Sequence, residues 1–290
     1  MSDLFQLIRN VDLRIYNFFS HFAGNRILDH LATQEEGNDL LKGGIFFAMY
    51  WYLWFRGGLE RDKRRKTIIA IMVGTILAII LARTIAFIAP FRARPIYDPT
   101  LAHPSYSIPV TANLENWSAF PSDTAAYFFA LAFGLAHLLR RLAILIFLYA
   151  AIWVCFPRMY LGLHYASDIV VGIAIGITMV WLSIRSDLLE SVVTQRVLTA
   201  AETSPQSFYA IAFLVSFEMA TVFAGLRQTG NAVLHETLYA LHLQSKHAGP
   251  DQPMDVWGGL LAMVGLLVIV GYVLHILYRK FQSVRMARKS

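Results

Sequence analysis

The chain has 290 residues, of which 57% are hydrophobic and only 15% charged. Several apolar runs approach the roughly 20 residues that cross a bilayer as a helix, which excludes an ordinary soluble domain and predicts an integral membrane protein. The single cysteine, Cys155, excludes an intrachain disulfide framework and a cysteine-built metal cluster. The net charge of +6 does not point to nucleic acid, because the basic residues sit beside apolar segments, in RGGLERDKRRK, LLRR and YRKFQSVRMARK, as membrane orientation requires.

In chain order, residues 1–40 interleave charge with apolar residues, as in MSDLFQLIRNVDLRIYNFF, and lack a compact apolar core with a small-residue cleavage site. They are expected to form amphipathic interfacial helices and not a cleaved signal. Apolar runs between charged or proline-containing breaks then predict spans at 41–56, 67–89, 121–139, 141–156, 167–184, 207–226 and 257–278. The expected fold is all-α, a polytopic transmembrane helical bundle of about seven spans preceded by interfacial helices. Residues 41–200 form its core, and 201–290 add a helix pair with an external loop, the seam falling at Ser204-Pro205. Placing Arg56–Lys66 in the cytoplasm puts LLRR, 185–206 and the basic tail there too, in accord with the positive-inside rule. The same assignment sends PFRARPIYDP through NWSAF, FPRMYLGLHY and 228–255 to the external face.

Three polar patches share that face. In RMYLGLHYASD, His164 and Asp168 lie one helical turn apart, so a carboxylate could hold one ring nitrogen as donor and leave the other as a nucleophile. An isolated His-x-x-x-Asp is more simply a helix cap, but Arg158 beside a membrane helix marks a cavity or an anion. In PFRARP, Arg92 and Arg94 are stiffened by Pro90 and Pro95, presenting two planar cations to a phosphate or to lipid headgroups. In FPSDT, Pro121 precedes a helix capped near Ser122, whose first amides, from Asp123 and Thr124, form an oxyanion seat or serve ordinary capping. Together the patches suit a tetrahedral oxyanion.

On these residues the chain resembles the phosphatidic acid phosphatase type 2 superfamily of membrane lipid phosphatases, over roughly residues 40–185. Its third motif is met by Arg158, His164 and Asp168, with Pro157 where the family often has serine. The Arg-Pro of the first motif is met by Arg94-Pro95, but Phe87 replaces the usual lysine, leaving Arg92 or Arg83 to supply that cation. The second motif resembles the Pro-Ser-Asp-His of bacterial undecaprenyl pyrophosphate phosphatases in Pro121, Ser122 and Asp123, while Thr124 replaces the histidine. The resemblance implies that His164 attacks phosphorus to form a phosphohistidine and that Asp168 orients it. Arg94, Arg158, Ser122 and the Asp123 amide would hold the phosphate oxygens, and Thr124 marks the absent general acid.

A threonine hydroxyl gives up no proton near neutral pH, so general-acid help is expected to be missing. A lipid diphosphate, which expels a stable phosphate anion, tolerates that loss better than a monoester. The expected function is therefore a lipid phosphatase, favouring an isoprenoid diphosphate and then a phosphatidate-type lipid. It would need neither metal nor cofactor and would act at the external face of a plasma membrane, the bacterial inner membrane by the resemblance. A silent lipid-phosphate-binding or scaffold relative and a lipid phosphotransferase remain as alternatives, while transport fits poorly because the polar groups collect at one mouth. His103 in LAHPSY is the nearest replacement acid, and Glu218, His235, His242 and His247 read more simply as structural or interfacial.

Overall fold

The computed structural model describes residues 3–108, 114–187 and 189–224, and every regular element among them is helical. Among the described residues, three helices are long and apolar enough to cross a membrane: Arg61–Ile88, Arg140–Tyr160 and Ala166–Ile184. They correspond to the spans expected at 67–89, 141–156 and 167–184. The span expected at 121–139 is a shorter apolar helix, Asp123–Leu138, and that at 41–56 joins a π-helical turn, Leu40–Gly44, to Ile45–Phe55. The helix Pro205–Ala220 covers most of the sixth, and the seventh, 257–278, lies outside the described residues with the loop carrying His235, His242 and His247.

The chain divides into two compact units, one of residues 1–52 and 70–185, the other of 53–69 and 186–290. In the second, Trp54 stacks on Phe208 at 5.8 Å and donates from Nε1 to the Tyr209 hydroxyl at 3.2 Å. Arg65 lies 4.8 Å over the same indole and donates to the Trp54 carbonyl, so its charge is carried on an aromatic face.

The first unit holds all the motif residues. Helix α5 (Asp123–Leu138) begins where Ser122, in extended backbone, accepts the Ala125 amide at 3.3 Å and so caps it. Helix α8 (Ala166–Ile184) begins where the Asp168 carboxylate turns back to the Tyr165 amide at 2.8 Å. These N-termini meet, the Ser122 amide donating to the Asp168 carbonyl at 3.1 Å, so the helices run parallel from a common end. Their approach depends on small residues. A Cβ on Gly176 would collide with the Ala126 carbonyl and lie 2.9 Å from the Ala130 nitrogen, and one on Gly172 would strike the Ser122 carbonyl.

Between them the chain passes through α6 (Ala143–Ala150), a π-helical turn at Ala151–Cys155 and α7 (Phe156–Tyr160). The N-terminal helices α1 (Asp3–Ser20) and α2 (Arg26–Gly37) pack at the same end of the bundle. Helix α1 buries Asp12 and Tyr16 while leaving Leu4, Phe5, Leu7 and Ile8 exposed, the division an interfacial helix needs. Helix α2 buries Asp29, which accepts from Tyr160 at 2.6 Å and from the amide and hydroxyl of Ser107 at 2.6 and 2.7 Å. Burial alone would raise the Asp29 pKa, but these bonds and one from the Gly24 amide hold it below the usual carboxylate value.

Candidate active site

The site forms where the N-termini of α5 and α8 meet the loop after α4 (Arg61–Ile88). Arg94 is 5% exposed and each nitrogen of its guanidinium has a partner. Nη1 donates to the Leu163 carbonyl at 2.8 Å and meets His164 Nε2 at 3.1 Å, while Nε donates to the Trp117 carbonyl at 3.2 Å and Nη2 to that of Ser118 at 3.5 Å. Burial first, and the like charge of Arg158 second, push its pKa down to about 10, so it stays cationic at neutral pH.

These contacts fix the tautomer of His164. A guanidinium has no acceptor, so Nε2 must accept and the proton belongs on Nδ1, which donates to the Ala119 carbonyl at 2.8 Å. Burial lowers the imidazole pKa below its ordinary 6.5, with Asp168 opposing and Arg94 and Arg158 reinforcing the shift. His164 is therefore neutral at pH 7, with its lone pair on the nitrogen beside Arg94.

Asp168 stands differently from the sequence expectation that it holds the imidazole directly. Its Oδ2 is 3.8 Å from His164 Nδ1, beyond hydrogen-bond length, and takes the Tyr165 amide instead. Its Oδ1 accepts from Arg92 at 2.5 Å. The carboxylate caps α8 and acts on the imidazole only through its charge, because a backbone carbonyl is closer to the ring.

Arg92, expected to bind phosphate, has its charge committed within the protein. It bridges Asp168 and Asp12 of α1 (2.7 Å), donates to the Ser167 hydroxyl at 2.8 Å and lies 4.2 Å over the Tyr165 ring. Arg83, the other possible substitute for the missing lysine, forms an ion pair with Asp123 and covers Trp117 at 4.9 Å. Arg158 is half-buried, and its carbonyl accepts the amides of Leu163 and His164, which ties the arginine's backbone to the loop carrying the imidazole.

At the start of α5 the expected open amides are partly closed. The Thr124 amide donates to Asp123 Oδ1 at 2.7 Å and the Thr124 hydroxyl to the same oxygen at 3.3 Å, while Ser122 Oγ is engaged by Ala125. Thr124 is buried. His103, the nearest replacement acid in the sequence, is exposed on its loop.

The structure thus joins Arg94, Arg92, Asp168 and His164 in one connected set, with Ser122 bonded to the Asp168 backbone and Asp123 paired to Arg83. Sequence reasoning missed Asp12, Ser167 and the Ala119 carbonyl. Asp12 carried a faint signal, an acid with Tyr16 four residues on in an otherwise amphipathic stretch, but nothing named its partner. The carbonyl has no side-chain signature at all.

Residues 88–189 match the family model of the PAP2 superfamily, a segment that takes in every motif residue from Arg92 to Asp168. No curated protein and no solved structure matched the chain. Members of the matched family are phosphatases, and with the apolar helices the match supports membrane association.

Proposed function

We propose that the protein is a membrane lipid phosphatase in which His164 is the nucleophile. The observation that carries this reading is the forced tautomer: Nδ1–H is held by the Ala119 carbonyl and the Nε2 lone pair faces the guanidinium of Arg94. A phosphoryl oxygen arriving there competes for the Arg94 donor and brings phosphorus to the lone pair. Nε2 then bonds to phosphorus as the ester or anhydride bond breaks, its electron pair leaving on the departing oxygen. Water next attacks the phosphohistidine, the N–P bond breaks with its electrons returning to Nε2, and a water proton passes to bulk. Arg94 and Arg158 stabilise charge on the equatorial oxygens, work that falls to fixed donors in such sites.

Thr124, bonded to the Asp123 carboxylate, offers the leaving oxygen no acidic proton. We therefore favour a diphosphate substrate, isoprenoid before phosphatidate, approached from the external leaflet of a bacterial inner membrane. The same residue favours a second reading, a silent relative that binds lipid phosphates without turnover. Transfer to an acceptor other than water is a third.

The test is phosphate release from a panel of lipid mono- and diphosphates by the reconstituted protein, with and without chelator, beside a His164→Ala control. Chelator-resistant release abolished by His164→Ala is expected. Release that survives the substitution overturns the assignment, and tight binding without release from any substrate establishes the silent reading.

A further inference from the structure

Asp12 enters the site from outside the stretch matched by the family, on a helix whose other face is apolar. It is 2% exposed and makes three polar contacts: Oδ1 takes the Ser167 amide at 2.9 Å, and Oδ2 takes the Ser167 hydroxyl at 2.6 Å and the Arg92 guanidinium at 2.7 Å. The first is a capping bond supplied in trans, since Ser167 lies in the opening turn of α8 and its amide has no partner within that helix. The third decides the charge beside the nucleophile. Without Asp12 the full charge of Arg92 would fall on Asp168, the carboxylate whose field supports the imidazole across 3.8 Å.

We propose that Asp12 is a positioning residue of the candidate site, sharing the Arg92 cation between two carboxylates so that Asp168 keeps its negative field on His164. The inference rests on the nucleophile reading above. As Nε2 bonds to phosphorus the ring acquires positive charge, so a net anion in the Asp12–Arg92–Asp168 triplet favours the step. The other charged groups facing His164 are Arg94, Arg158 and Asp123, which Asp12 does not touch. Helix α1 is then part of the catalytic apparatus and not only a membrane anchor.

The experiment measures the His164 titration by NMR on full-length, 15N-histidine-labelled protein in micelles, the signal assigned by its loss in His164→Gln. Asp12→Asn keeps the shape and one acceptor oxygen but removes the charge, and is expected to lower the His164 pKa by about half a unit. The double variant Asp12→Asn/Arg92→Gln restores the local balance and returns the pKa to the parent value. Asp12→Glu, which keeps the negative charge, retains it. A purely structural Asp12 predicts no shift in the single variant and a larger disturbance in the double, and that result overturns the proposal. Where turnover is measurable, Asp12→Asn lowers kcat about tenfold with little change in KM and moves the acid limb to lower pH. If His164→Gln retains hydrolysis the nucleophile reading fails; if it abolishes hydrolysis while Asp12→Asn titrates like the parent, only the role of Asp12 fails.

Discussion

Gly176→Ala adds one methyl group at the tightest point between α5 and α8. The new Cβ would overlap the Ala126 carbonyl oxygen and lie 2.9 Å from the Ala130 nitrogen and 3.0 Å from the Ala126 carbonyl carbon. All three are backbone atoms, so no side chain can rotate away and the helices must separate by about 1 Å to regain ordinary contact. Overpacking of this kind costs about 1–3 kcal/mol, or roughly 3–9 °C in melting temperature for a unit of this size. Separation also strains the Ser122 amide to Asp168 carbonyl bond that registers the two helix starts, and a 1 Å displacement of catalytic groups costs about 10²-fold in rate. Cys155, buried and the only thiol in the chain, reports unfolding through its labelling by a thiol-reactive dye on heating. Gly57→Ala serves as the control, since a Cβ there meets nothing within 4 Å. Unchanged labelling temperature and turnover in Gly176→Ala would refute the claim that small residues at this interface set the site geometry.

Thr124→His restores a proton donor and is expected to raise monoester hydrolysis by about 10²–10⁴-fold, with a smaller gain for diphosphates, measured as initial phosphate release. Arg94→Lys is expected to lose about 10²–10³-fold in kcat/KM, because a single ammonium cannot replace a fork that reaches Trp117, Leu163, Ser118 and His164. The acid limb of a pH–rate profile is expected below 6.5, because the folded protein holds the His164 pKa beneath that ordinary value. The sign for stability follows: the unfolded chain takes up this proton first, so the contribution is complete above 6.5 and is lost as pH falls toward the folded pKa, which acid unfolding checks. Asp29→Ala strands the Tyr160 hydroxyl and the Ser107 donors and is expected to cost about 2–4 kcal/mol in denaturant unfolding.

Much of this site was legible because its chemistry lives in short motifs on apolar helices. The run after Ser122 could only be a helix, and Ser122 caps it. RMYLGLHYASD put His164 and Asp168 on one helix face, but the helix starts only at Ala166, so His164 lies in the turn before it and Asp168 caps its start. The partner choices were not legible. Asp168 reads as the mate of His164 at four residues' spacing, yet local capping and Arg92 take both its oxygens. Arg92 and Arg94 read as equals two residues apart, but the carboxylates of α1 and α8 engage one while carbonyls and an imidazole surround the other. The contacts that distinguish Arg92 from Arg94 span about 70 to 80 positions, which no local periodicity encodes.

The wide turn at Ala151–Cys155 gives the α6–α7 rod two independent bearings. One residue more per circuit swings whatever follows by about 100° relative to an unbroken α-helix. Ile144, Leu145, Leu148 and Ile152 are therefore exposed along most of its length while Arg158, past the offset, lies near Arg94, Asp123 and His164. Losing a single residue in this stretch would rotate that cation away without altering the chemistry of any side chain, whereas exchanging one apolar residue for another would leave its heading intact.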